Sequence, residues 1–218
     1  IDEMQDWLHY EGRHLQDIQT MMTEYCVQVK QMGIPVDRFF LGCEILHPQV
    51  AVYAFKWEHP GGLKEFTLCR EIYNSRNDPS NELWSDAPLI LLRRCGAKFI
   101  RIRPTDEHIS RDCDWFLKEN YQDFYALADR QKGLWSGGFT WATKDPAGFS
   151  EDHIEFLNRS FGALSTVTRL HLNDLVMKVL LMTYLGKDPG SRVHAGSISR
   201  GQGISIRSVI WFSDIRGF

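Results

Sequence analysis

Arg38-Phe-Phe-Leu-Gly-Cys-Glu-Ile-Leu46 and Val50-Ala-Val-Tyr-Ala-Phe-Lys-Trp57, joined by His47-Pro48-Gln49, decide how the chain is read. Both arms are aromatic and aliphatic runs of strand length, and a three-residue connection containing proline is short enough for a hairpin. An antiparallel pair is expected. His59-Pro-Gly-Gly62 makes the next turn, after which Lys64 to Cys69 forms a third strand. Residues 74–85 hold Asn, Ser, Arg, Asp, Pro and Glu around a single Leu-Trp pair and read as a loop over the surface or over a pocket.

Working outward toward the C-terminus, Ser85-Asp-Ala-Pro88 starts a helix that runs through Arg94 and stops at Cys95-Gly96. Lys98 to Arg103 is a strand with one wet face, closed by Pro104. Thr105 to Asp112 is a polar loop, Trp115 to Tyr121 a short helix, and Phe124 to Asp129 and Leu134 to Thr143 two further strands. This order gives an α+β fold with an antiparallel sheet. Upstream, Asp2 to Met32 is expected to form one helix, with Leu8, Leu15, Ile18, Met22, Tyr25, Val29 and Met32 on one seam and Gly33-Ile-Pro35 as its stop. Such a seam suits both a helix lying on a sheet and one that self-associates.

Ser150, followed by Glu151 and Asp152, opens a helix that meets no proline before about Leu185, roughly 50 Å at about 1.5 Å per residue. Ile154, Leu157, Phe161 and Leu164 make a seam, Thr168 and His171 weaken it, and Leu175, Met182 and Leu185 resume it. A parallel pair with a second copy and a cover for the sheet are both open to it. Gly186 ends the helix, Lys187 to Gly203 reads as a hinge-like connector, and Ile204 to Phe212 as a strand. The divisions are thus 1–33 (helix), 34–149 (sheet domain), 150–186 (long helix), 187–203 (connector) and 204–218 (the start of a further domain).

With 218 residues, 43% hydrophobic and 24% charged, the chain can bury a substantial core. A net charge of −3, with no run of Lys or Arg, argues against nucleic acid and anionic membrane as partners. No apolar run approaches the roughly 20 residues of a membrane span. Cys26, Cys43, Cys69, Cys95 and Cys113 are odd in number and contain no Cys-x-x-Cys pair, which fits a reducing cytoplasm better than a disulfide framework or a thiolate zinc site. The first residue is Ile1 rather than methionine, and a piece of a longer protein is expected.

The last stretch, Phe212-Ser-Asp-Ile-Arg-Gly-Phe218, resembles the first-strand motif of the class III nucleotidyl cyclase catalytic domain. The resemblance implies that Asp214 supplies one of two carboxylates holding catalytic Mg or Mn ions, with the Ile215 carbonyl also reaching a metal, and that the parent makes cyclic AMP and pyrophosphate from ATP. Hard oxygen donors are what metals clamping a triphosphate need. Together with Asp145-Pro-Ala-Gly-Phe-Ser-Glu-Asp152 before a long helix, the upstream elements resemble the GAF-like sensor region of bacterial cyclases, with a PAS domain as the alternative sheet. On this reading the chain is a regulatory region without catalytic residues of its own, working as a homodimer. A dimerisation and transmission module without a small ligand is the alternative.

Tyr53, Trp57, Trp84, Trp115 and Trp141, with Tyr125 and Trp135 beside them, are the candidates for a ligand pocket. Aromatic residues of this kind also build cores. His47, His59, His108 and Asp112-Cys113-Asp114 give no metal-binding spacing. No Gly-x-Ser-x-Gly, Cys/His motif or phosphate loop points to a self-contained enzyme.

Overall fold

The computed structural model describes residues 2–47, 49–75, 88–106, 116, 118–131, 134–199, 201, 205 and 207–217. The chain divides into two units, residues 1–176 and 177–218.

The first unit is built on six strands: β1 (Arg38–Glu44), β2 (Val50–Glu58), β3 (Gly62–Cys69), β4 (Phe99–Ile102), β5 (Asp123–Gln131) and β6 (Leu134–Thr143). They form one sheet in the order β3-β2-β1-β6-β5-β4, antiparallel at every junction. The expected hairpin is there in register, with Phe39 opposite Trp57 and Leu41 opposite Phe55. The first and last strands meet in the middle of the sheet, where Phe40 faces Thr140. No helix separates β1, β2 and β3, which is the element order expected of the GAF-like sheet rather than of a PAS domain.

Side-chain alternation gives each strand two faces. Phe39, Leu41 and Cys43 of β1, Tyr53, Phe55 and Trp57 of β2, Tyr125 and Leu127 of β5 and Phe139 and Trp141 of β6 share one buried cluster with helical residues. The helices are α1 (Asp2–Tyr10), α2 (Ile18–Gln31) and the first part of α5 (Glu151–Leu185). Trp141 is wholly buried and its indole N–H donates to the Tyr25 hydroxyl at 3.2 Å. Among the described elements, the short helices α3 (Arg70–Asn74) and α4 (Pro88–Cys95) lie on the opposite face.

The single N-terminal helix expected from the seam is in fact two, separated by a 3₁₀ turn at Gly12–His14. Gly12 is buried against the Trp7 ring, where a Cβ would come within 3.3 Å, and its carbonyl accepts from His171 Nε2 at 2.9 Å. Asp17 then caps α2 by accepting from the Thr20 amide at 2.8 Å. An Asp three residues before a Thr was a legible start signal that the hydrophobic seam concealed. The expected stop holds: Gly33 adopts φ +85.

α5 begins as expected, with the Ser150 hydroxyl accepting from the His153 amide at 3.2 Å, and continues unbroken for 35 residues. The second unit contains its last turns, Gly186 at φ +89, and a further helix, α6 (Lys187–His194). The first part of the expected connector, Lys187–His194, is therefore helical. Pro189 sits in the first turn of α6, where a missing N–H costs nothing, and Gly190 lets the backbone approach Leu181, which a Cβ would meet at 2.6 Å. The expected strand at 204–212 is not formed among its described residues. Val209, Ile210, Trp211 and Phe212 are exposed, and among the described residues no strand pairs with them to supply the hydrogen-bond ladder that such a run needs.

Burial moves the acid–base chemistry of the core. It raises the Cys43 thiol from 9.0 to about 12 and the Tyr121 phenol from 10.0 to about 12. An unfolded chain loses the Cys43 proton from pH 9 upward while the folded one keeps it, so this contribution is complete below pH 9 and disappears as the pH climbs through 12. Urea midpoints should accordingly fall between pH 9 and 12, and Cys43→Ala should flatten the first part of that slope. Midpoints that stay level over this range would contradict the burial of both groups.

Candidate functional site

The face of the sheet away from α1, α2 and α5 holds a cavity of about 260 Å³. Its floor is the even-numbered side of β1 (Arg38, Phe40, Gly42, Glu44) with Val52 and Ala54 of β2 and Thr140 of β6; Leu89 and Ile90 of α4 close one side. Gly42 is what opens the floor. A Cβ there would meet the Phe40 ring at 3.3 Å and Leu89 at 3.7 Å, so any larger residue would take the space.

Among the described residues that line it, charge is confined to the two ends. At one, Arg38 lies over the Phe40 ring at 5.8 Å and pairs with Glu58 at 3.7 Å, with Lys56 on the same carboxylate at 3.0 Å. At the other, a single oxygen of Glu44 accepts from both the Tyr73 hydroxyl and the Arg93 guanidinium. Formal charges cancel at the Glu44 end, and the middle is aliphatic and aromatic. An arrangement of this kind binds by excluding water from apolar surface and uses its few polar atoms for orientation.

A second, polar cleft lies where β4 and β5 meet the root of α5. Asp123, 1% exposed, accepts from Arg101 at 2.8 Å and from the Phe149 amide at 3.0 Å, and Arg101 reaches Glu151 at 2.8 Å. The neighbouring carboxylates hold the Arg101 guanidinium above its ordinary protonation range. Gly148, at φ +66, passes so close to Asp123 that a Cβ would meet the carboxylate at 2.8 Å. This cluster locks the Asp145–Asp152 stretch to the sheet. Further along α5, Ser165 donates to Asp129 at 2.8 Å and Arg169 pairs with the same carboxylate, which also holds Ser136 of β6.

Of the aromatic residues expected to line a pocket, Tyr53, Trp57 and Trp141 lie on the helix-covered face and belong to the core. Parity along the strands puts them there. Tyr125 is in the same core and donates to Asn158 of α5 at 2.7 Å. Trp84 and Trp115, like His108 and Asp112-Cys113-Asp114, fall outside the described residues, as does the Trp135 side chain. The cavity's own residues, above all Gly42, Glu44, Ala54 and Thr140, were missed. The available signal was a glycine and an acid on the even side of an otherwise apolar strand.

Asp214 and Ile215 lie in the exposed final stretch. One carboxylate and one peptide carbonyl do not fit a two-metal site, which requires more hard oxygen donors on rigid elements. Among the described residues no group of three or more His, Cys, Asp or Glu side chains could hold a metal ion, and no helix is long and apolar enough to cross a membrane.

No family model matches the sequence, and no curated protein matches it. Similar solved structures include the N-acylhomoserine lactone dependent LuxR family transcription factor CepR2 from Burkholderia cenocepacia, at 9% identity and TM-score 0.48, covering 78% of this chain and 93% of that one. The nlh2 GAF domain from A. aeolicus (12%, TM-score 0.40, covering 78% and 88%) and a GAF domain/HD domain protein from Geobacter sulfurreducens (9%, TM-score 0.41, covering 78% and 96%) are others.

Proposed function

We propose that the chain is the regulatory, sensor region of a class III nucleotidyl cyclase, in which occupancy of the β1–β2–β6 cavity is transmitted through α5 to a catalytic domain beginning near Ile204. The observation that carries the sensor reading is the cavity whose described lining is apolar between two charged ends, on the same sheet whose other face is packed against α5. The polar cluster at Asp123 and the Asp129–Arg169 pair give the sheet two rigid grips on that helix. A shift of the strands therefore has a route into α5. The cyclase part rests on the Phe212–Phe218 motif; in the intact enzyme, Mg or Mn would stabilise the leaving pyrophosphate of ATP.

On α5, Leu170, Met177 and Tyr184 are exposed and seven residues apart, a spacing that suits a parallel helix pair in a homodimer. That stripe also favours the second reading, a dimerisation and transmission module with no small ligand. The reading frame beyond Phe218 is expected to supply a second metal-ligating carboxylate, and the intact protein to make cyclic AMP from ATP. Asp214→Ala should lower that rate about a thousandfold. A downstream frame without a second acidic anchor, or an intact protein that forms no cyclic nucleotide, overturns the cyclase assignment. Sedimentation of the intact protein as a monomer at all concentrations overturns the helix pair.

A further inference from the structure

Two polar groups that line the cavity have hydrogen-bonding capacity that the described residues leave unused. Glu44 uses only one carboxylate oxygen for Tyr73 and Arg93, and no hydrogen bond to its second oxygen occurs among the described residues. Thr140, 3% exposed on the floor, likewise has a hydroxyl with no hydrogen bond among the described residues. The Glu44 side chain is 29% exposed, so water meets its second oxygen when the cavity is empty, and a molecule that displaces that water must replace the bond to bind well.

The surrounding charges restrict what that something is. Arg93 already neutralises Glu44, and Arg38 is held by Glu58 at the far end. A cation entering the cavity would lie between two guanidinium groups, whereas an anion would meet the uncommitted oxygen of Glu44. Neither sign of charge is favoured. Phe40, Phe124, Val52 and Leu89 supply flat and aliphatic walls, and about 260 Å³ admits only a compact molecule.

We propose that the cavity takes a neutral, compact, largely aromatic molecule bearing one N–H or O–H donor, with its apolar body over Gly42 and Thr140 and its donor on the second oxygen of Glu44. This rests on the sensor reading above. The Thr140 hydroxyl then turns toward the ligand, as donor to a ring face or to a ligand oxygen. Gly42 is the specificity-determining position, because the space above it is the space the ring occupies.

Indole and 1-benzothiophene test this directly, being nearly equal in shape while only indole has a donor. Each is titrated into the ¹⁵N-labelled 218-residue chain, with amide shifts followed by NMR. Indole is expected to bind about tenfold more tightly, the effect of one hydrogen bond to a charged acceptor, with shifts centred on the amides of Gly42, Ala54 and Thr140. Equal affinities at those amides overturn the donor and leave the sensor cavity standing. Saturable shifts from neither compound, or shifts centred elsewhere, overturn the cavity as a binding site and with it the sensor reading.

Discussion

Trp141→Ala should cost about 3–5 kcal/mol of stability, the range for emptying a large aromatic site in a packed core. The Trp141 ring lies within 5.6 Å of the Phe39 ring centroid and within 6.3 Å and 6.4 Å of those of Phe139 and Tyr125, all on the helix-covered face. Removing it opens the centre of the sheet, at the junction of β1 and β6, and leaves the Tyr25 hydroxyl without the indole N–H. Trp141→Phe separates the two effects, since it keeps most of the volume and loses only the donor. It should cost about 1–3 kcal/mol. Both numbers come from urea denaturation followed by circular dichroism and fluorescence. A Trp141→Ala protein that unfolds at the wild-type midpoint would mean that this residue faces a ligand site or solvent.

Asp123→Ala is expected to cost about 3 kcal/mol, because it leaves a largely buried guanidinium and a backbone N–H without their acceptor. Arg101 keeps Glu151, but that carboxylate is 84% exposed and screened by water, so it replaces little of what is lost. The damage should be local as well as global. Amide hydrogen exchange should accelerate at Phe149 and in the first turn of α5, whereas Glu151→Gln should shift the unfolding midpoint by no more than about 0.5 kcal/mol. If Asp123→Ala weakened stability without speeding exchange at the root of α5, the cluster would be a fold element and not a grip on the helix. That separation matters to the sensor reading, since the same grip is what would carry strain from strands to helix.

Local sequence determined much of this protein. The hairpin register, the Gly33 and Gly96 stops, the Ser150 cap and the uninterrupted length of α5 all follow from signals a few residues apart, which act through backbone geometry and short-range hydrogen bonds. The Asp17 cap was equally local and was overridden only by a hydrophobic seam that crosses the break without changing face. What the tertiary structure alone decided is which side of the sheet became core. Phe39-Phe40-Leu41 and Val52-Tyr53-Ala54-Phe55 are apolar on both sides, so alternation sorts their residues into two faces without saying which face the helices cover. That choice depends on α1 and α2 near one end of the sequence and α5, more than a hundred residues away, closing together over Tyr53, Trp57 and Trp141, and it sent the cavity to Gly42, Glu44 and Thr140 instead. The same reason explains residues 207–212: their β pattern is local, but a strand exists only when another backbone offers its edge.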